Sequence, residues 1–258
     1  MPAGLCLYSI IYNKDDMTSS SLRVLVTGAA GVIGTVFWKR RHGEFSLRLA
    51  DLHTSSLAQA PCPVLQLDVG DYRACLAACM DIDVVLHLAG VPHASADFDT
   101  QLLQPNIIGT HNIFRAAQAQ GVRRVIFASS AQAVEGYPLD VQVQETMPAR
   151  PANLYGASKA FGEGVASAFA HQHGMTAIAV RIANVARFEP GQQHSARDIA
   201  AFVSERDVVQ LLACCITAQV PPGYHVVHGV SDNRYKRLSI DATRKLVGYA
   251  PQDDGFRL

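Results

Sequence analysis

Tyr155 and Lys159 stand four positions apart in the segment NLYGASKAFGE (153–163). At that spacing two side chains project from one face of a helix, one turn apart. A phenol has a pKa of about 10 in water, but a nearby ammonium stabilises the phenolate and helps it accept a proton at neutral pH. Such a pair suits general acid–base catalysis. Tyr/Lys pairs also occur in helices with no catalytic role. Whether Tyr155 and Lys159 are catalytic therefore depends on the strands and helices around them.

Short apolar segments alternate with longer amphipathic ones along most of the chain. The predicted strands are LRVLVT (22–27), SLRLAD (46–51), DVVLHLAG (83–90), RRVIFASS (123–130) and MTAIAVRIAN (175–184). Helical spacing of apolar residues predicts helices near 32–41, 72–80, 100–120 and 153–173. This alternation predicts an α/β fold with a doubly wound parallel sheet, the Rossmann fold.

The alternation of short apolar and longer amphipathic segments becomes less regular after about residue 185. A loop-like stretch (187–202) precedes a helix (204–218), a strand (224–230) and a short helix (239–248). We expect an NAD-binding domain over 21–184 and a small substrate-binding cap over 185–258, at the carboxyl edge of the sheet where such folds bind ligands. Residues 1–20 are expected to be a dispensable, poorly ordered extension, with Met17 as an alternative start.

The segment TGAAGVIG (27–34) joins the first predicted strand to the first helix. Its Gly28, Gly31 and Gly34 allow a tight turn and a close approach of backbone N–H groups to a pyrophosphate at the helix N-terminus. Asp51 ends the second strand, where an acid accepts both ribose hydroxyls of a dinucleotide. That carboxylate would repel a 2′-phosphate, and no arginine follows in Leu52 to Ser55, so NAD is expected rather than NADP.

Composition excludes several other classes of protein. Lys+Arg and Asp+Glu are both 22, and this neutrality argues against a nucleic-acid or membrane partner. The longest uncharged run, 208–224, is interrupted by glutamines and prolines and is typical of a buried helix and turn. The scattered cysteines and histidines form no ligand set, so no metal site is expected. Unpaired thiols of this kind are typical of a cytoplasmic protein.

Five motifs together resemble one superfamily. TGAAGVIG, HLAG (87–90), NIIGTHN (106–112), FASSA (127–131) and YGASK (155–159), in this order, resemble the extended short-chain dehydrogenases/reductases, the NAD-dependent epimerase/dehydratase family. The segment MPARPANLYGASKAFGE (147–163) is most similar to uronate dehydrogenases, which oxidise a hexuronic acid to a lactone. The resemblance extends from Leu22 to about Gly255.

The resemblance implies roles for individual residues. Tyr155 would be the general base, Lys159 would favour the phenolate and hold the nicotinamide ribose, and Ser130, in preference to Ser129, would bind the reacting oxygen. The implied cofactor-binding set is Gly28, Gly31, Val32, Ile33, Gly34, Asp51, Leu52, Asp68, Val69, Leu88, Ala89, Gly90, Asn106, Tyr155 and Lys159. The implied substrate-binding set is Ser130, Gln132, Asn184 and Arg197. Asn106 is equally well explained as a helix cap, and Arg197 as a solvated loop residue.

Several positions depart from the uronate dehydrogenase pattern. Ala131-Gln132 stands where those enzymes have Asn-His, and Pro92 and Asn184 stand where they have serines. A dehydrogenase acting on a different sugar or polyol fits these changes. A sugar or nucleotide-sugar epimerase is the alternative, and a non-catalytic NAD-binding protein is a more distant one. The superfamily also implies a homodimer through the helices near 100–120 and 153–173, where AFGEGVASAFA (160–170) offers small residues for close packing.

Overall fold

The computed structural model describes residues 21–186 and 193–257. The predicted extension 1–20 lies outside the described residues. The strands are β1 (Arg23–Thr27), β2 (Ser46–Asp51), β3 (Val64–Gln66), β4 (Val84–His87), β5 (Arg124–Ser130), β6 (Thr176–Ile182), β7 (Asn184–Val185), β8 (Phe202–Val203) and β9 (Gly223–Gly229). Seven of them form one parallel sheet in the order β3-β2-β1-β4-β5-β6-β9, and β7 and β8 pair separately. The predicted doubly wound parallel sheet is confirmed.

Seven α-helices connect or follow these strands. They are α1 (Val32–Arg41), α2 (Tyr72–Ala78), α3 (Gly109–Ala119), α4 (Leu154–His173), α5 (Ala196–Ala200), α6 (Glu205–Thr217) and α7 (Asp241–Val247). The predicted helix near 100–120 is α3 preceded by the wider π-helical segment Phe98–Ile108, which contains Pro105. A 3₁₀ turn, Ala131–Val134, follows β5.

The sheet has a separate apolar core on each face. In β1, Val24 and Val26 point into one core together with Trp38 of α1, while Leu25 points into the other together with Phe114 of α3. Both faces of a parallel strand are therefore buried, which explains why these segments are apolar without alternation.

The strand order reverses between β1 and β4. β1 pairs with β2 on one side and with β4 on the other. The connections after β1 and β4 therefore leave on opposite sides and open a crevice at the carboxyl ends of these strands, which is the usual ligand site of such folds.

The segment after residue 185 differs from the expected small cap. β9 pairs with β6 from Thr176↔Gly223 to Ile182↔Gly229, and α6 packs against α1. Residues 205–229 therefore extend the main sheet and its helical layer, and the proposed division at residue 185 remains a prediction. The stretch predicted as a loop contains α5 and β8, and β3 was not predicted because three residues carry too short a pattern.

Candidate active site

The first glycine of the turn after β1 has a backbone that other residues rarely adopt. Gly28 has φ = 70°, and a Cβ there would lie 2.6 Å from the amide nitrogen of Ala89 in the loop after β4. At Gly34, a Cβ would lie 2.7 Å from the Cα of Ala29. Both glycines therefore allow close contact between backbone segments and leave the N-terminal amides of α1 open towards the crevice.

Asp51 is held in a fixed orientation at the end of β2. Its Oδ2 accepts a hydrogen bond from the Ala30 amide at 2.9 Å, and its Oδ1 accepts one from the His53 amide at 3.0 Å. It faces a cavity of about 570 Å³. The predicted cofactor-binding residues that line this cavity are Gly28, Gly31, Asp51, Leu52, Asp68, Val69, Leu88, Ala89 and Gly90.

A second cavity of about 660 Å³ continues the first along the carboxyl ends of β4, β5 and β6. Both are lined by Gly28, Gly31, Leu88 and Gly90, so together they form one cleft. The predicted site residues that line only the second part are Val32, Ile33, Gly34, Ser130, Gln132, Tyr155, Lys159 and Asn184. A long cleft with an acid at one end and a glycine turn in the middle fits a dinucleotide.

Tyr155 lies in the first turn of α4. The helix begins after Asn153, whose side chain accepts a hydrogen bond from the Gly156 amide at 2.8 Å. Tyr155 is 7% exposed, and burial raises its pKa, while a hydrogen bond with the Ser130 side chain lowers it in part. The phenol therefore needs a nearby positive charge before it can act as a base at neutral pH.

Lys159 lies one turn further along α4 and is a basic side chain close to the Tyr155 ring. Its Nζ lies 5.7 Å from the centre of the Tyr155 ring and 5.1 Å from that of Phe127. Burial lowers its pKa from 10.5 to about 8. At pH 7 the ammonium form then outnumbers the neutral amine by about ten to one.

Two glycines bring α4 close to the strand and turn that carry Ser130. A Cβ on Gly162 would collide with the Phe127 ring of β5, and one on Gly156 would collide with the Gln132 carbonyl. Ala166 and Ala170 are buried in the core beneath α4. Much of the small-residue run that suggested a dimer contact therefore packs inside the chain itself.

A buried ion pair joins α4 to β5 and β6. The Arg181 Nε and Nη2 donate to the two carboxylate oxygens of Glu163 at 2.9 Å each, and the Ser129 hydroxyl donates to Glu163 at 2.6 Å. Arg181 and Glu163 are 3% and 6% exposed. Ser129 is thus bound to this ion pair, while Ser130 lines the cleft together with Tyr155. The preference for Ser130 over Ser129 stays a prediction.

Glu163→Gln is expected to lower the free energy of unfolding by about 3 kcal/mol or more, because it leaves the Arg181 guanidinium buried without a counter-charge. Urea unfolding followed by circular dichroism measures the change. Glu44→Gln, which breaks the exposed pair between Arg41 and Glu44, is the control and should cost less than about 1 kcal/mol. Equal midpoints for the two variants would contradict the assigned role.

Asn106 lies inside the π-helical segment and does not cap a helix. Its Oδ1 accepts from the Val91 amide at 2.8 Å, and its Nδ2 donates to the Val91 carbonyl at 3.2 Å. It lines neither part of the cleft. Asn106 holds the loop that carries Gly90, and any effect on a cofactor would pass through that loop.

Three of the four predicted substrate-binding residues meet in the cleft, and Arg197 does not. Its side chain borders a different cavity, next to Tyr235 and Phe256. Its guanidinium donates to Glu135 at 2.9 and 2.5 Å. The pairing with Glu135 bridges residues that are distant in sequence, so no local pattern could have predicted it.

The cleft also contains residues that the predicted set lacks. His93 and Ala94 follow Gly90 in the loop after β4, and Ala183 and Val185 flank Asn184 after β6. Their only signal in the sequence is their position just beyond strand ends that point to the crevice. Across residues 21–186 and 193–257, no group of three or more His, Cys, Asp or Glu side chains could hold a metal ion, and no helix is long and apolar enough to cross a bilayer.

Asp51→Ala is expected to weaken NAD binding by about 10-fold to 100-fold, because hydrogen bonds to a charged acceptor contribute about 1.5–3 kcal/mol each. The same change should narrow the preference for NAD over NADP, since it removes the charge that repels a 2′-phosphate. Calorimetric titration with each dinucleotide measures both effects. Asp140→Ala, at an exposed position away from the cleft, is the control. An unchanged NAD affinity would rule out this contact.

Comparison with known proteins agrees with the geometry of the cleft. The model of the NAD dependent epimerase/dehydratase family matches residues 24–214. An NAD-dependent glucose-6-phosphate dehydrogenase of Haloferax volcanii is 35% identical over 248 residues, covering 90% of this chain and 93% of its own. A uronate dehydrogenase of Pseudomonas putida is 34% identical over 234 residues, with 90% and 84% covered.

The same similarity is found among solved structures. A mutant uronate dehydrogenase from Agrobacterium tumefaciens complexed with NAD superposes with a TM-score of 0.82 at 33% identity, over 92% of this chain and 86% of the other. In sequence, a UDP-glucose 4-epimerase of Azospirillum brasilense is 31% identical over a smaller part, 68%, of this chain. The chain therefore belongs to the NAD dependent epimerase/dehydratase family.

Proposed function

We propose that the protein is an NAD-dependent dehydrogenase that oxidises the anomeric hydroxyl of a free sugar or sugar acid to a lactone, as uronate dehydrogenases do. The proposal is carried by one observation: a single cleft is lined by Ser130, Tyr155 and Lys159 in one part and by Asp51 in the other. The similarity to sugar dehydrogenases over nine-tenths of the chain supports it.

Ser130, Tyr155 and Lys159 each have a proposed role in the reaction that fits their surroundings. Tyr155, as the phenolate, accepts the proton of the sugar hydroxyl, and Ser130 donates a hydrogen bond to the same oxygen. Lys159 stabilises the phenolate and binds the ribose next to the nicotinamide. NAD bound in the cleft would supply the acceptor for the hydride of the anomeric carbon. Asp51 would bind the ribose at the far end of the cleft, and Gly28 and Gly31 would allow the pyrophosphate to approach the backbone.

Two further features belong to this proposal. A homodimer through the outer faces of α4 and of the helical stretch 98–119 is supported by two exposed apolar side chains, Phe161 at 41% and Ile108 at 39%. A cytoplasmic location is supported by the thiols of Cys75, Cys79 and Cys215, which are buried and free. Sedimentation equilibrium at micromolar concentration tests the first of these.

Deuterium transfer tests the reaction directly. The protein is incubated with NAD and aldoses or uronic acids deuterated at the anomeric carbon, and the reduced nicotinamide is analysed by mass spectrometry. The proposal expects deuterium in the reduced cofactor and a lactone as the product. If the deuterium is found in a sugar of changed configuration and NAD is not reduced overall, the protein is an epimerase and the proposal is wrong. No transfer to either would leave a non-catalytic NAD-binding protein.

A further inference from the structure

Arg197, the arginine expected to bind a substrate carboxylate, is paired with acidic side chains of the chain itself. Its Nε and Nη2 donate to both oxygens of Glu135 at 2.9 and 2.5 Å, and its Nη1 donates to Asp198 at 3.3 Å. The Arg197 and Glu135 side chains are only 19% and 17% exposed. In this bidentate pair, Arg197 donates to Glu135 the two hydrogen bonds that it would otherwise donate to a substrate carboxylate.

The pair is connected to the wall of the cleft. Asn184, which lines the cleft, donates from its Nδ2 to the Asp198 carboxylate at 3.3 Å. Glu135 directly follows the 3₁₀ turn that carries Gln132, another lining residue. One guanidinium and two carboxylates are thus joined through Asn184 to the substrate end of the cleft, and these three described side chains have a combined charge of −1.

An anionic substrate meets two obstacles at such a site. A carboxylate or phosphate would have to displace Glu135 from Arg197, and it would also approach a group of described side chains, Glu135, Asp198 and Arg197, whose net charge is negative. Among the described residues that line this end of the cleft, the basic side chains are Lys159, which serves Tyr155, and His93. A neutral hydroxymethyl group, or a hydrogen atom in a pentose, meets neither obstacle.

We propose that Glu135 determines substrate specificity by occupying Arg197, so that the protein oxidises neutral aldoses in preference to uronic acids and sugar phosphates. This inference rests on the proposed function and names its substrate class. Three observations support it: the bidentate pair between Arg197 and Glu135, the second carboxylate of Asp198, and the hydrogen bond from Asn184 to Asp198.

Paired substrates that differ only at carbon 6 test the inference in the unaltered protein. Initial rates of NAD reduction give kcat/KM for D-galactose and D-galacturonate, for D-glucose and D-glucuronate, and for D-glucose and glucose 6-phosphate. We expect at least about a tenfold preference for the neutral member of each hexose pair, which corresponds to about 1.4 kcal/mol. A preference for the uronate would overturn the inference and leave the proposed function intact. No reduction with any sugar would overturn both.

Glu135→Gln tests the residue itself. The neutral amide releases Arg197, so the ratio of kcat/KM for uronate to that for the neutral sugar should rise by about tenfold or more, mainly through KM for the uronate. Adding Arg197→Ala to Glu135→Gln should return the ratio to that of the unaltered protein. Glu44→Gln, which removes the same charge from an ion pair outside the cleft, should leave the ratio unchanged. A ratio unaffected by Glu135→Gln would overturn the assignment of specificity to this residue.

Discussion

Tyr155→Phe is expected to lower kcat for sugar oxidation by about 10²-fold to 10⁴-fold, the usual contribution of a positioned general base. The change removes one oxygen atom and keeps the ring, which is almost fully buried, so packing around it is preserved. The KM for NAD should change little, because the phenol acts on the sugar hydroxyl. Steady-state rates at saturating NAD, with the sugar that the unaltered protein oxidises fastest, measure the loss.

Two controls distinguish loss of the base from loss of the fold. Tyr72→Phe, on α2 and away from the cleft, removes a phenol without touching the proposed base and should retain full activity. The Tyr155→Phe variant should unfold at nearly the same urea concentration as the unaltered protein. Retention of more than about a tenth of kcat would mean that another group accepts the proton.

Lys159→Met is expected to lower kcat at pH 7 by a similar factor and to change its pH dependence. With the ammonium present, the phenolate forms at lower pH, so the rise of kcat/KM with pH should move upward by about 1–3 pH units when the charge is removed. NAD binding should weaken as well, since Lys159 lies beside the cleft next to Gly90. Rates between pH 6 and 10 and calorimetric titration with NAD measure the two effects.

The free energy of unfolding of Lys159→Met at pH 7 should rise, although its activity should fall. Burial lowers the Lys159 pKa from 10.5 to about 8, so between these values the unfolded chain binds more protons than the folded one. The penalty of burying the ammonium is therefore complete below pH 8 and is relieved as the pH rises towards 10.5. Lys159→Met should accordingly be more stable than the unaltered protein at pH 7, while the exposed control Lys245→Met should match it. Lower activity combined with lower stability would point to a structural role for Lys159.

Local patterns in the sequence were sufficient for five of the seven strands of the described main sheet and for many of the residues that line the cleft. Apolar runs fully buried on both faces identified β1, β2, β4, β5 and β6, because a parallel sheet leaves such strands no solvent side. The glycine turn and Asp51 share one strand–turn–helix unit with its next strand, so their spacing along the chain largely determines their spacing in the fold. The same holds for Tyr155 and Lys159 on a single helix.

Long-range pairings were beyond the reach of the sequence. The resemblance to uronate dehydrogenases implied that Arg197 binds substrate, with a solvated loop residue as the equal alternative, but its guanidinium is paired with Glu135, 62 residues away. Residues 205–229 were assigned to the cap because the alternation of strands and helices is less regular before them. In the structure, β9 pairs with β6 at the edge of the main sheet. In both cases the partner comes from a distant part of the chain, and neither composition nor periodicity reports such a contact.

The rate of absorbance increase at 340 nm measures the reduction of NAD by this protein and so tests whether it is a sugar dehydrogenase. Purified protein is mixed with NAD and one sugar at a time, with neutral aldoses and uronic acids measured side by side. The account predicts reduction of NAD with at least one free aldose, dependent on Tyr155 and faster than with the matching uronic acid. No reduction with any free sugar, by a protein that nevertheless binds NAD in the cleft, would contradict it.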